Sequence, residues 1–308
     1  MNPLRGIFLK VLSVALFMVM ASLIKAAAAE GVPPGERMFF RSFFAIPVII
    51  VWLMWRHDLR HGLDTKNPMG HVWRGLVGGT AMALGFTALG LLPLPEVTAI
   101  GYAAPLLTVI FAAMFLGEQV RIFRLTAVLI GLVGVVIVLS PRLSVLSLDA
   151  ASKLETIGAF AMLTGAVFMA LAQVFVRKLV QTERTPAIVF YFSLTTTVLG
   201  LLTLPFGWVM PTTVGFVMLI SAGLVGGIGQ ILLTESYRHA DTSVIAPFEY
   251  ASMLFALFAG FFVFGEVPTE TTLIGAGLIV AAGLYIIWRE HRLGLERAEQ
   301  RRVMTPQG

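Results

Sequence analysis

Ten apolar runs of roughly 20 residues divide the chain, each about the length an α-helix needs to cross a bilayer core. They read Ile7 to Ala29, Gly35 to Met54, Val72 to Leu92, Val97 to Leu116, Phe123 to Ser140, Ile157 to Val176, Pro186 to Trp208, Val214 to Leu233, Thr242 to Phe264 and Thr271 to Trp288. Ten such spans take about 200 residues of the 308. What is left makes short loops and tails, not a separate soluble domain. Composition agrees, with 57% hydrophobic and 13% charged residues, where a soluble domain carries roughly 25% charged. An ordinary soluble enzyme and a disordered chain are thereby excluded. The runs do not alternate polar and apolar, as the ten-residue strands of a membrane β-barrel do. With no Cys in the chain, a disulfide scaffold, a thiolate metal site and a Cys nucleophile are all excluded. The first run lacks a small-residue cleavage motif leading into a soluble chain, so it reads as a retained helix.

The net charge of +5 comes without a basic stripe interleaved with aromatics, which sets nucleic acid aside. The cations instead fall in loops, where they orient the spans. With the N-terminus inside, the cytoplasmic side collects Arg5, the Arg56 to Arg74 connection, Arg121, Arg124, Arg177, Lys178, Arg184, Arg238 and the tail from Arg289; the other side holds Arg142 and Lys153. Both termini are expected in the cytoplasm, which requires an even number of spans. The halves also repeat. Gly75-Leu76-Val77-Gly78-Gly79 recurs as Gly223-Leu224-Val225-Gly226-Gly227, and in the same register Tyr102-Ala103 is matched by Tyr250-Ala251 and Gly117-Glu118 by Gly265-Glu266. Five spans per copy is an odd number, so the second copy enters from the opposite side, the inverted arrangement found in many secondary transporters.

Arg41-Ser42-Phe43-Phe44-Ala45, the Pro105 segment ending at Gly117-Glu118 and its counterpart ending at Gly265-Glu266 resemble the two EamA-type repeats of the drug/metabolite transporter superfamily. The similarity runs from about Gly6 to Trp288. It implies an all-α integral membrane protein of ten transmembrane helices in two inverted five-helix repeats. One membrane domain, 1–308, then holds a first repeat at 6–140, a second at 157–288 and a basic cytoplasmic tail at 289–308. Glu36-Arg37-Met38-Phe39-Phe40-Arg41, His71-Val72-Trp73-Arg74-Gly75 and Ala246-Pro247-Phe248-Glu249-Tyr250 are similar to bacterial importers of cofactor-like metabolites, riboflavin and S-adenosylmethionine carriers among them. The resemblance implies a secondary carrier that imports a small organic metabolite across the bacterial inner membrane. Riboflavin is the first substrate expected and S-adenosylmethionine the second; export of amino acids or drugs is the other transport reading.

Ionisable side chains at membrane depth point to the chemistry, because each costs about 2.5–3.5 kcal/mol at a helix centre and so turns toward a cavity or a partner. Glu249, between Phe248 and Tyr250, is the acid placed well inside a span. It reads as a substrate or proton site, or as an Arg-paired or neutral core carboxyl. Lys25 and Arg41 can pair with Glu249 across the bundle or offer cations to an anionic or carbonyl-rich substrate; Lys25 can also snorkel to the interface. Lys10 reads as an interfacial anchor. Gln173 and Gln230 can bond a substrate or bridge two helices. Tyr102 and Tyr250, related by the repeat, are expected near the repeat interface, where with Phe39, Phe40, Phe43 and Phe248 they can line a pocket for a flat ring, the other reading of the phenylalanines being that they face lipid. Pro105 and Pro247 should kink their helices, and the glycine pairs, Gly131 with Gly134 among them, read as close helix contacts. Glu118 and Glu266, ending the fourth and ninth spans on opposite sides, read as solvated helix ends first and as a gate or cap second.

Other chemistries lack their reagents. The sequence has no Gly-x-x-x-x-Gly-Lys-Ser/Thr phosphate loop and no His-Glu-x-x-His zinc pair, and its five His fall in loops or at helix ends. No cofactor and no metal is expected. An integral-membrane enzyme, the reading from another class, would need a catalytic cluster that the sequence does not supply.

Overall fold

Prolines set where several helices begin. Pro34, Pro68, Pro95 and Pro186 each sit in a first turn, where a missing N–H costs nothing and the fixed φ suits the helix. At the third span Asn67 caps the start, its Oδ1 accepting the Gly70 N–H at 2.9 Å. The structure, a computed structural model, describes residues 3–59, 61–116, 122–143, 150–179, 182–239 and 246–304. Its helices are α1 (Pro3–Ala29), α2 (Pro34–Phe43), α3 (Ala45–Trp55), α4 (Pro68–Leu91), α5 (Leu94–Gly101), α6 (Ala103–Leu116), α7 (Ile122–Leu143), α8 (Ala150–Leu179), α9 (Thr185–Leu201), α10 (Thr213–His239), α11 (Ala251–Phe264) and α12 (Glu270–Met304). Two 3₁₀ turns, Leu204–Phe206 and Ala246–Tyr250, complete the set.

Among the described residues eight stretches are helical, long and apolar enough to cross a membrane, and Thr185–Leu201 and Phe248–Phe264 are shorter apolar helices. The protein is an all-α membrane protein. Three expected spans are each split. In the second and fourth, the breaks at Phe44 and Tyr102 lie three residues before Pro47 and Pro105, whose rings crowd the carbonyl four residues back. The ninth opens as a 3₁₀ turn containing Pro247 before α11 begins. The seventh ends at Leu201, short of the expected Trp208, because the chain turns through Leu204–Phe206 to Gly207 at φ 92°. α12 runs on past Trp288 to Met304. The expected ninth-span start at Thr242, with Gly117, Glu118 and Arg121, lies outside the described residues.

α7 shows how such a helix is solvated. Leu129, Ile130, Val133 and Val136 are exposed while Ala127, Val128, Val135 and Val138 are buried, so both faces are apolar and the outer one suits lipid. The inner faces meet through small residues, as membrane helices do in the absence of a hydrophobic drive between them. A methyl on Gly134 would stand 2.8 Å from the Gly275 carbonyl, and one on Gly275 would stand 2.6 Å from that of Gly134. Backbone therefore touches backbone between α7 and α12. The repeated glycines behave alike: Gly75 and Gly79 of α4 face Thr195 and Leu199 of α9, and Gly223 and Gly227 of α10 face Phe44 and Val48. The closest partnerships, α1 with α10, α4 with α8, α7 with α12 and α2 with α9, each join the first half of the chain to the second.

Candidate functional site

Two helix breaks meet in the middle of the bundle. Tyr102, at φ −66° and ψ −6°, separates α5 from α6, and Tyr250, at φ −69° and ψ −12°, separates the Ala246–Tyr250 turn from α11. Their rings stand edge to face with centroids 5.2 Å apart. The Tyr102 hydroxyl lies 2.6 Å from Ser252 Oγ and donates to the Tyr250 carbonyl oxygen at 3.3 Å. Ser252 Oγ in turn donates to the Glu249 carbonyl at 2.7 Å. The Tyr250 hydroxyl lies against α12 at Gly283, where any Cβ would collide with it. The repeat-related tyrosines are thus brought together as the sequence implies, but closed on each other and not held apart around a ring-shaped slot.

Glu249 forms an ion pair with Lys10 of α1. Neither Lys25 nor Arg41 reaches it, and Lys10 is not an interfacial anchor: it is 1% exposed, while the Glu249 side chain is 52% exposed. Lys10 sits little more than two turns into α1, which placed it at the edge of the run in the sequence. A partner 239 residues away gives the buried ammonium its counter-charge.

Lys25 pairs with Glu266 at 2.8 Å. Its ammonium also donates to the carbonyl oxygens of Leu89 and Leu92 and lies 5.5 Å from the Phe264 ring centroid. Glu266 accepts the Leu94 N–H at 2.7 Å. It is therefore a partnered, largely buried carboxylate, not a solvated helix end, and Lys25 does not snorkel. Gly265, at φ 66°, ends α11 in the left-handed conformation that a Cβ disfavours and turns the chain toward Lys25. Two ion pairs consequently tie α1 to the start and to the finish of the ninth span.

Arg41 of α2 is 5% exposed and rests over the Phe192 ring of α9 at 5.9 Å. Arg74 of α4 approaches the same ring at 3.9 Å. The apolar run that starts the third span at Val72 puts Arg74 among the cytoplasmic cations. The Asn67-Pro68 pair, a cap followed by a first-turn proline, was the signal that the helix starts earlier. Gln173 is exposed on α8 and Gln230 is half-buried on α10; neither joins the tyrosine centre. Phe39, Phe40 and Phe43 cluster with one another and with Trp208, Phe44 and Phe216, not with the tyrosines. Buried acids outside the expected set include Glu36, which accepts the Val209 N–H at 3.1 Å.

Glu183, in the connection before α9, is buried at 8% exposure. Burial alone would raise its pKa, but the N–H groups of Lys66 and Asn67, each at 2.8 Å, and the His71 imidazole at 3.5 Å hold its carboxyl below the usual range. No group of three or more metal-ligating side chains occurs among the described residues.

The profile of the EamA-like transporter family matches residues 4–140 and 156–288. The chain belongs to the EamA-like transporter family. A Solute carrier family 35 profile also matches residues 96–207. Among curated EamA-like relatives, the pseudopaline exporter CntI of Pseudomonas aeruginosa strain UCBPP-PA14 is 30% identical, with 90% of this chain and 94% of the relative covered. The S-adenosylmethionine uptake transporter of Rickettsia bellii is 27% identical over 92% of this chain and 97% of its own. The riboflavin transporter of Vibrio cholerae is 28% identical over 96% and 97%. A solved crystal structure 21% identical superposes with a TM-score of 0.66, covering 94% of this chain and 98% of the other, and shares its fold. Two discontinuous helices meet at the tyrosine pair, and breaks of this kind free backbone polar groups.

Proposed function

We propose that this chain is a secondary carrier that imports a small organic metabolite across the bacterial inner membrane, with both termini in the cytoplasm and no enzymatic step. Two inverted five-helix repeats, 6–140 and 157–288, rock against each other around the Tyr102–Tyr250 centre. In that arrangement α8 is the counterpart of α1 and α10 of α4, so the α1–α10 and α4–α8 contacts are one contact made twice. The observation that carries the reading is the pair of ties on α1. Lys10–Glu249 and Lys25–Glu266 lie fifteen residues apart along α1, about 22 Å at 1.5 Å per residue, one toward each face of the membrane. The buried Lys25–Glu266 tie keeps α1 on the ninth span while the Lys10–Glu249 tie, with its half-exposed carboxylate, parts and re-forms.

The substrate is an amino-acid-derived cation such as S-adenosylmethionine, ahead of riboflavin. The tyrosine rings are closed on each other and leave no slot for an isoalloxazine, whereas a sulfonium or ammonium can approach the half-exposed Glu249 beside two aromatic rings. Uptake of labelled S-adenosylmethionine and of labelled riboflavin into proteoliposomes, against protein-free controls, tests this. Saturable S-adenosylmethionine counterflow is expected. Riboflavin uptake alone reverses the substrate order, and uptake of neither by correctly inserted protein removes both from the reading.

A further inference from the structure

We infer that Arg41 and Arg74 form a receptor for a carboxylate carried by the substrate, an inference that rests on the carrier reading and gives its substrate a second, anionic end. The argument begins with charge. At membrane depth Lys10 has Glu249 and Lys25 has Glu266. Arg37 donates to the Ile24 carbonyl at 3.4 Å. Arg41 and Arg74 have no such partner: among the described residues neither guanidinium makes an ion pair or a hydrogen bond, and Arg41 Nε together with Arg74 Nε and Nη1 is sealed from solvent without an acceptor. They are close enough for the charge of one to be felt at the other.

Both cations converge on one ring, Phe192. At Gly78, one turn along α4 from Arg74, a Cβ would collide with Arg74 Nη1; at Gly226 of α10 a Cβ would collide with Met20 and lie in ordinary contact, at 3.5 Å, with Arg41 Nε. Gly78 and Gly226 occupy the same place in the repeated Gly-Leu-Val-Gly-Gly motif. Elements of both halves thus build the site: α2 and α4 supply the charges and α9 the ring, with α10 packed beside Arg41 at Gly226.

Two like charges with unfilled donors in a low-dielectric interior are costly and mark a ligand path. A guanidinium offers a planar fork of N–H groups that matches a carboxylate in bidentate fashion. The ring beneath holds the forks by cation–π contact without using their in-plane donors. An amino-acid carboxylate on these arginines would leave the cationic end of the same molecule free for Glu249.

Two experiments decide it. Uptake of labelled S-adenosylmethionine into proteoliposomes is competed with S-adenosylmethionine, with its decarboxylated form, which keeps the adenosyl sulfonium and the amine, and with inorganic phosphate. The wild type should discriminate against the decarboxylated form at least tenfold, and Arg41→Gln and Arg74→Gln should lose that discrimination. Equal competition by the two forms in the wild type, or discrimination that survives both substitutions, overturns the proposal. Phosphate inhibition that the substitutions relieve, with no discrimination between the two forms, assigns the arginines to a free anion and overturns it as well. The second experiment needs no transport. Purified protein without substrate should melt at a higher temperature as Arg41→Met or Arg74→Met, because an unpaired buried charge has been removed. Unchanged or lower midpoints in both variants make the arginines structural and overturn the proposal. Should liposomes take up no S-adenosylmethionine, the substrate reading fails and the melting experiment alone decides the arginine site.

Discussion

The two ties on α1 use the same residue types and are built differently. At the Lys25–Glu266 end both side chains are largely buried, at 13% and 17% exposure, and each has further partners: Lys25 the carbonyls of Leu89 and Leu92, Glu266 the Leu94 N–H. At the Lys10–Glu249 end the lysine is sealed in and the carboxylate is half-exposed. Burial with several partners locks a pair in place. A buried cation facing an accessible carboxylate leaves that carboxylate available to a substrate or a proton. The first tie is therefore the one expected to hold the fold, and the second the one expected to take part in transport.

The largest effect tests the locked end. Glu266→Leu strips Lys25 of its counter-charge and leaves the Leu94 N–H without its acceptor. Removing one member of a buried pair costs about 3–5 kcal/mol, and at this slight exposure a loss near the lower figure, about 3 kcal/mol, is expected as a lower melting midpoint of the purified protein. A midpoint within a degree of wild type would erase the contrast between the ties. The exchange Lys25→Glu with Glu266→Lys should not restore stability, because a carboxylate at position 25 would face two carbonyl oxygens and an ammonium at 266 would face an N–H.

At the accessible end the expected effects appear in transport. Lys10→Met and Glu249→Gln should each lower uptake at least tenfold, equivalent to about 1.4 kcal/mol, and Lys10→Met, which leaves behind only a half-exposed carboxylate, should keep the melting midpoint closer to wild type than Glu266→Leu does. Counterflow separates two roles for Glu249. If it carries a proton, Glu249→Gln abolishes accumulation and spares exchange; if it holds substrate, both fall. The exchange Lys10→Glu with Glu249→Lys should recover part of what the single substitutions lose, since it restores the opposite charges of the pair. Unchanged uptake in Glu249→Gln would remove this residue from the carrier cycle.

The spans and the glycine contacts were legible in the sequence because hydropathy and small-residue spacing are local properties. Placing Tyr102 and Tyr250 together was legible as well, because the repeat relates them. Partner choice was not. Glu249 was seen as a buried acid, yet its cation turned out to be Lys10, which hydropathy had put at a helix edge, and Lys25 went to Glu266, which looked like a terminus. Pairing across more than 200 residues depends on how α1 lies against the ninth span, and no pattern within either segment encodes it. Arg74 was missed for a different reason. The apolar run understates a helix whose first turn is polar, so the Asn-Pro start carried more information than the hydropathy did.

The smallest expected effect lies between the two ties. Tyr102→Phe removes the hydroxyl that reaches Ser252 and the Tyr250 carbonyl while keeping the ring that packs on Tyr250. A net intramolecular hydrogen bond is worth about 0.5–1.5 kcal/mol, so stability should fall by about 1 kcal/mol. The Ser252 hydroxyl keeps its bond to the Glu249 carbonyl, which limits the loss. The effect on uptake shows which tie the tyrosine serves. If it positions the turn that carries Glu249, uptake in Tyr102→Phe falls several-fold and Ser252→Ala lowers it similarly, with little further loss in the double variant. Additive losses would mean that the hydroxyl acts on its own, and that the accessible end is held by Lys10 without help from the tyrosine pair.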